Sequence, residues 1–271
     1  MWPAVVDQPS LTRYAGNQAM TSVTKGQRAD LALVERGLAP TREKAQALIL
    51  AGAVFVDGQP LAKAGQRVPP NGSLEVRGAD HPWVSRGGLK LAHALSHFHL
   101  AIQGIVAIDV GASTGGFTDV LLAHGAARVY AVDVGHGQLA WKLRQDARVV
   151  VLERTNARML SSKEIPEPVD LVVCDASFIG LKTVLPAALS LARPGAILVA
   201  LIKPQFEVGR GRVGKGGVVR DPAFHAEVCD GIRQWLGATG WTVLGVTDSP
   251  VTGPAGNKEF LIAARRDATG A

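Results

Sequence analysis

The sequence predicts an α/β chain, a Rossmann-like, doubly wound domain preceded by a small α+β module. Three observations carry that expectation. From Ile105 onward, short apolar runs alternate with helical patterns, as in a parallel sheet covered on both faces. The first of those runs leads into a glycine-rich loop, Asp109-Val110-Gly111-Ala112-Ser113-Thr114-Gly115-Gly116-Phe117. Upstream, residues 28–58 hold two short helical patterns, then a strand and a tight turn. A hydrophobic content of 47% in 271 residues is enough for a sizeable core.

The order along the chain gives the expected domains. Residues 1–24 show no periodicity and are read as a disordered leader, residues 25–78 as the small module, 79–88 as a linker and 89–271 as the large domain. In the module, Leu31, Val34 and Leu38 recur at helical spacing, with Gly37 near the helix end. Thr41 is a candidate N-cap for a second helix, whose apolar face is Ala45, Leu48 and Ile49 and which stops near Gly52. Val54-Phe55-Val56 then enters a turn at Asp57-Gly58, and short strands follow around Arg67-Val68 and Leu74–Val76. Eight bases against five acids across residues 25–77 make this piece basic, and Arg36, Arg42 and Lys44 flank the turn between the helices as a phosphate-facing edge.

In the linker, His81-Pro82-Trp83 breaks regular structure, and Arg86-Gly87-Gly88 leads into a helix running to about His99. His93 and His97 are four apart on that helix, but no acid or cysteine completes a metal set, so they are read as packing or surface groups. Strands are expected at 106–108, 129–132, 149–152, 171–174 and 196–202. A helix around 224–236 follows, then strands at 242–246 and 260–264 forming an antiparallel pair at the sheet edge.

Glycines in the Asp109–Phe117 loop let backbone approach a ligand closely, and the helix N-terminus behind it favours anionic groups. A nicotinamide site wants G-x-G-x-x-G, yet Ser113 stands at the middle glycine. Gly111-Ala112-Ser113-Thr114-Gly115 does match a hydrolase G-x-S-x-G elbow, which would need His225 with Asp175 or Asp221. An S-adenosylmethionine site accounts together for the acid before the loop, the glycines, and Asp133 at the end of the next strand.

Four charges fall where core patterns should exclude them. Asp175 ends Leu171-Val172-Val173-Cys174, Lys203 ends the run 197–202, Glu259 precedes Phe260-Leu261-Ile262, and Lys90 lies inside the helix after the linker. Buried charge survives when paired, so the four are expected to share one polar site. Two lysines with two carboxylates suit transfer onto an RNA ribose hydroxyl. The stretch Gly209–Gly217 adds Arg210, Arg212 and Lys215 but lacks the P-loop order, so it is read as a basic lid on RNA rather than a nucleotide-hydrolysis loop.

A net charge of +6 favours a polyanionic partner. Two lone cysteines, Cys174 and Cys229, argue against a disulfide framework or a cysteine metal site and suit the cytoplasm. No run approaches the roughly 20 apolar residues needed to span a bilayer, so no membrane role is expected.

The pattern from Arg28 to Gly58 resembles the RNA-binding module of ribosomal small-subunit protein four. The segment Trp83–Leu91, the loop Asp109–Phe117, Cys174-Asp175-Ala176-Ser177-Phe178-Ile179, Lys203-Pro204-Gln205-Phe206-Glu207 and residues 213–222 resemble the TlyA family, rRNA cytidine-2′-O-methyltransferases that also carry a hemolysin label. Their catalytic half is similar to FtsJ-type ribose methyltransferases with a Lys-Asp-Lys-Glu tetrad, which Lys90, Asp175, Lys203 and Glu259 match in order.

That resemblance implies a cytoplasmic enzyme with S-adenosylmethionine as cofactor and ribosomal RNA or subunits as partner. Its cofactor would meet Asp109, Gly111, Ser113, Gly115, Gly116 and Phe117, with Asp133, Asn156 and Asp175 at the following strand ends. Its RNA would meet Arg28, Arg36, Arg42, Lys44 and Arg86 on one side and Arg210, Arg212 and Lys215 on the other. A membrane-damaging protein and a non-catalytic ribosome-assembly factor stand as alternatives.

Overall fold

The computed structural model describes residues 26–76, 81–253 and 255–268, together with the backbone but not the side chain of Arg210. The expected leader through Thr24, Lys25, Arg77 and the start of the linker lie outside the described residues. The first unit runs β1 (Gln27–Arg28), α1 (Ala29–Glu35), α2 (Arg42–Leu50), β2 (Val54–Val56), β3 (Gln59–Pro60), β4 (Arg67–Val68) and β5 (Leu74–Val76). β1 pairs with β4, and β3-β2-β5 form a three-stranded antiparallel sheet.

Thr41 caps α2 as expected, its Oγ1 accepting the Lys44 N–H at 3.2 Å. Asp57 and Gly58 both take positive φ (49° and 77°), the geometry of the hairpin turn between β2 and β3. One expectation fails here. Leu31 is 41% exposed, and α1 turns Ala29, Ala32 and Leu33 inward instead. Asp30 turns inward with them, its buried carboxylate accepting from Arg28, Arg42 and Gln46.

The second unit runs α3 (Gly87–His97), β6 (Val106–Val110), α4 (Gly116–Ala123), β7 (Arg128–Val132), α5 (Trp141–Arg144), β8 (Val149–Leu152) and β9 (Val169–Cys174). It continues with α6 (Leu181–Val184), α7 (Pro186–Ser190), β10 (Ala192–Ile202), α8 (Pro204–Glu207), α9 (Pro222–Ala238), β11 (Trp241–Asp248) and β12 (Phe260–Arg266). Seven strands lie in the order β11-β12-β10-β9-β6-β7-β8. β8, β7, β6, β9 and β10 are parallel, while β12 runs antiparallel between β10 and β11.

The chain moves outward from β6 to β8 and then returns to the other side of β6. The switch point is therefore at the C-terminal ends of β6 and β9, where ligands collect in such sheets. Alternation sorts the strand residues between two cores. Val172, Cys174, Leu198, Ala200, Ile202, Phe260 and Ile262 face the layer of α6, α7 and α9. Leu171, Val173, Val199, Leu201, Leu261 and Ala263 face the layer of α3, α4 and α5.

Candidate active site

The same alternation builds the site. Asp175, Lys203 and Glu259 continue the odd-numbered series Val173, Leu201 and Leu261, so all three emerge on the α3 face. Ile202 pairs with Phe260, which sets Lys203 and Glu259 beside each other one step beyond the ladder. On α3, Leu91, Ala94 and Leu95 anchor the helix to that face, and Lys90 turns toward the same rim.

The four charges meet. Lys90 Nζ lies 2.8 Å from Glu259 Oε2 and 3.3 Å from Asp175 Oδ2. Lys203 Nζ lies 2.6 Å from Asp175 Oδ1, and it donates to the Asp175 backbone carbonyl (3.0 Å) and Ser177 Oγ (2.8 Å). Burial pushes the Asp175 carboxyl up, but Lys90 and Lys203 outweigh it and hold the acid below its ordinary value. For Lys90, burial disfavours the ammonium, yet Asp175 and Glu259 together raise it above the usual lysine range. Lys90, Lys203 and Glu259 are buried; Asp175, with 19% of its side chain exposed, bridges the cluster to solvent.

The glycine loop lies beside this cluster. Gly111 has φ 82°, and a Cβ there would stand 3.0 Å from the Cα and N of Ala176, the residue after Asp175. Gly116 serves packing: a Cβ would meet Ser85 Oγ at 2.4 Å and Gly88 N at 2.8 Å, so α3 and α4 touch through glycines. Gly115, at φ 94°, lies under Leu139 and Leu143 as the N-cap of α4, whose next buried side chain is Phe117.

Asp109 Oδ2 accepts from the Thr118 N–H (3.0 Å) and hydroxyl (2.7 Å), whereas its buried Oδ1 has no partner. Burial pushes this acid up to about 7, with the Thr118 bonds only partly offsetting it. Asp133 accepts from the N–H groups of Ser113 (2.8 Å) and Gly135 (2.7 Å), holding the loop against the end of β7. Asn156 caps a short 3₁₀ turn through the Arg158 N–H at 3.1 Å.

An orphaned acceptor on Asp109, a strand-end acid at Asp133 and the close approach that Gly111 allows fit a nucleoside cofactor with a cationic amino-acid tail. Serine-hydrolase geometry is not formed. Ser113 Oγ donates to Gln138 Oε1 (3.3 Å), and His225 Nε2 meets the Val219 carbonyl (2.9 Å). His93 and His97 stack on each other at 5.7 Å.

The basic residues expected at RNA divide by environment. Arg28 and Arg42 are half-exposed with their guanidinium groups on Asp30 (2.9 Å each). Arg36 donates to the carbonyls of Gly72 (2.5 Å) and Pro70 (3.2 Å). Lys44, Arg86 and Lys215 are exposed, and Arg86 lays its stem across Gly52. Arg212 pairs with Glu227 (2.5 Å) and lies over the Phe224 ring at 4.9 Å. The Arg210 side chain lies outside the described residues.

Four residues near the rim receive no role from sequence, although Ser177, Phe178 and Glu207 lie in the family-like segments. Ser177 holds Lys203, and Glu207 Oε1 accepts the Leu181 N–H at 2.7 Å. Asn257, 2% exposed, accepts from the Val219 N–H (3.0 Å) and donates to the Gly217 carbonyl (2.9 Å), tying the basic loop to the segment that carries Glu259. Phe178 is 90% exposed, holds φ 67°, and lies 5.2 Å from the Phe206 ring. The only sequence signal for this exposed aromatic is its place in the segment Cys174–Ile179.

Residues 83–266 match the FtsJ-like methyltransferase family, and residues 27–73 match the S4 domain. The chain is 52% identical, over 87% of its length and 88% of the relative's, to the 16S/23S rRNA (cytidine-2′-O)-methyltransferase TlyA of Mycobacterium tuberculosis. It is 40% identical to Hemolysin A of Brachyspira hyodysenteriae, over 83% of this chain and 94% of that one. A solved Streptococcus thermophilus structure labelled a hemolysin superposes with a TM-score of 0.71 at 40% identity, covering 91% of this chain and 90% of the other.

Proposed function

The chain belongs to the TlyA family of FtsJ-like methyltransferases with an S4 domain, and from that premise we propose that it methylates cytidine 2′-hydroxyls of ribosomal RNA. The observation that carries the reading is the convergence of Lys90, Asp175, Lys203 and Glu259 beside the glycine loop. S-adenosylmethionine, when bound, supplies an electrophilic sulfonium methyl group. Asp109 Oδ1 and the Gly111 backbone would hold its amino-acid end, and Asp133 its ribose.

A ribose hydroxyl is a poor nucleophile and must be aimed in line at the methyl carbon. Lys203, fixed by Asp175 and Ser177, would orient the hydroxyl and relay its proton to the Asp175 carboxylate, while the methyl carbon exchanges its bond to sulfur, which keeps the electron pair, for one to the ribose oxygen. Glu259 and Lys90 hold Asp175 in register from the opposite side. Phe178 offers a stacking face for an unpaired base at the same rim. The S4 domain would dock the RNA through phosphate contacts, and the protein would work where ribosomes are, in the cytoplasm.

Mapping ribose methylation in both ribosomal subunits with and without the protein tests the reading. A cytidine methylated only in its presence is the expected result. Among the described residues no helix is long and apolar enough to cross a membrane. Leakage from liposomes with no methyl transfer would instead favour the activity suggested by the hemolysin label.

A further inference from the structure

We infer that Glu207 is a positioning residue for methyl transfer, stapling α8, which directly follows Lys203, to the loop that carries Asp175, Ser177 and Phe178. The inference rests on the methyltransferase reading above and concerns how its rim is held in shape.

The parallel ladder between β9 and β10 ends at Cys174 and Ala200. Beyond it, the relative placement of residues 175–180 and 203–207 depends on side chains. The two Lys203–Asp175 contacts span the gap at its near end, and three more follow toward its far end. Lys203 Nζ meets Ser177 Oγ at 2.8 Å, the Phe206 ring lies 5.2 Å from Phe178, and Glu207 Oε1 takes the Leu181 N–H at 2.7 Å.

The third contact closes the far end of the loop. Gly180 leaves the space that the Glu207 carboxylate occupies, since a Cβ there would stand 3.0 Å from Oε2. Phe178 sits between the two polar ties at φ 67°, a left-handed conformation that a phenylalanine adopts only when its surroundings impose it. Lys203 fixes the chain just before Phe178 through Ser177, and Glu207 fixes it just after through Leu181. With the Glu207 tie released, the strained residue can relax, and Ser177 and the aromatic face move with it.

The burial of Glu207 fits a fixed rather than a solvated role. Its half-buried carboxyl is pushed up by burial, with the Leu181 N–H and Lys182 pulling in the opposite direction. An acid kept out of water only to solvate a surface would be a poor use of the position; one that accepts an otherwise orphaned N–H at the start of α6 has a reason to be there.

The test uses full-length Glu207→Ala, Glu207→Asp and Glu207→Gln proteins with ribosomal subunits and labelled cofactor. Gln keeps an oxygen at the same reach, whereas Asp is one methylene too short. Losing the tie is expected to lower kcat about tenfold in Ala and Asp, with cofactor affinity unchanged and Gln within about twofold of wild type. In a Phe178→Gly background, where the strain is gone, Glu207→Asp should cost less than about twofold.

A thermal-stability loss in Ala and Asp with kcat intact would reduce Glu207 to a structural cap and overturn the inference. Equal losses in Gln and Asp would overturn it as well. If Ala fails to fold, the Asp and Gln comparison decides alone. A wild-type protein that methylates neither subunit overturns the functional reading and this inference with it, whereas an active wild type with an equally active Asp variant removes only the role of Glu207.

Discussion

Lys203 meets Asp175 twice, through the carboxylate Oδ1 at 2.6 Å and through the backbone carbonyl at 3.0 Å. A flexible side chain is thereby fixed at the end of β10, pointing into the rim rather than to solvent. Lys203→Ala removes both the orienting group and the proton's route out. Transfer of labelled methyl to ribosomal RNA should fall by about 10²-fold or more, while calorimetric cofactor affinity stays near wild type. Substantial residual turnover would remove Lys203 from its proposed role.

The four charges were legible because each interrupts an apolar run; for the three at strand ends a period of two then decides the face, while Lys90 turns inward from α3. Asp175, Lys203 and Glu259 could be assigned to one site from sequence for that reason. The staple at Glu207, the clasp at Asn257 and the strain at Phe178 could not, since each depends on where two loops meet. Leu31 shows the same limit from the other side. Helical spacing marked it as core, but α1 turns Leu33 inward instead, together with a buried Asp30 that no periodicity flags. Gly116, expected at the cofactor loop, also packs α4 against α3, a role visible only where Ser85 and Gly88 close over it.

Asp109 predicts a pH dependence. Burial raises this acid from 3.8 to about 7, so the folded chain binds its proton more tightly than the unfolded chain does. Its contribution to stability is therefore full at low pH and is lost as pH rises from about 4 to about 7. Asp109→Asn, permanently neutral, should raise the melting temperature relative to wild type at pH 8, with the advantage shrinking as pH falls and gone by about pH 4. A cationic group at Oδ1 draws the proton off, so wild-type cofactor affinity should strengthen as pH rises through about 7, with proton release visible by calorimetry in buffers of different ionisation enthalpy. Affinity that is flat between pH 6 and 8 would rule out contact with Asp109.

Phe178 separates function from stability. The residue is 90% exposed, so Phe178→Ala forfeits almost no burial. Phe178→Gly should go further and stabilise the fold by about 1 kcal/mol, because glycine takes positive φ without strain. Both should lose RNA turnover, by about five- to a hundredfold if one base stacks on the ring. Phe178→Trp, which keeps an aromatic face, should retain most activity. Normal turnover in the alanine variant would show that the ring meets no base.

Asp30 is the corresponding point in the S4 domain. It is fully buried, and its carboxyl is held well below the usual range, with the Arg28 hydrogen bonds outweighing the penalty of burial. A lowered carboxyl stabilises above its unfolded value of 3.8, and that stability is lost as pH falls below it. Asp30→Ala removes the group that gathers Arg28, Arg42 and Gln46, and because both arginines are half-exposed and can turn to water it should cost about 1 kcal/mol. RNA affinity should drop with it, while cofactor binding to the methyltransferase domain persists. Unchanged urea unfolding of the S4 domain would contradict this account.

Arg212 and Lys215 give the last prediction, which concerns affinity alone. Arg212 is tied to Glu227 at 2.5 Å and lies over Phe224, yet both charged partners are well exposed, so the pair contributes little to stability. What it does is hold a guanidinium at the surface next to Lys215, on a loop that Asn257 anchors to the tetrad segment. Replacing Arg212 and Lys215 with alanine should therefore leave the melting temperature and cofactor affinity in place. RNA affinity should weaken, and the dependence of log affinity on log salt should become shallower by about one to two units, as two phosphate contacts are lost. The slope is the decisive quantity, because a loop that only packs against the protein would change affinity without changing it.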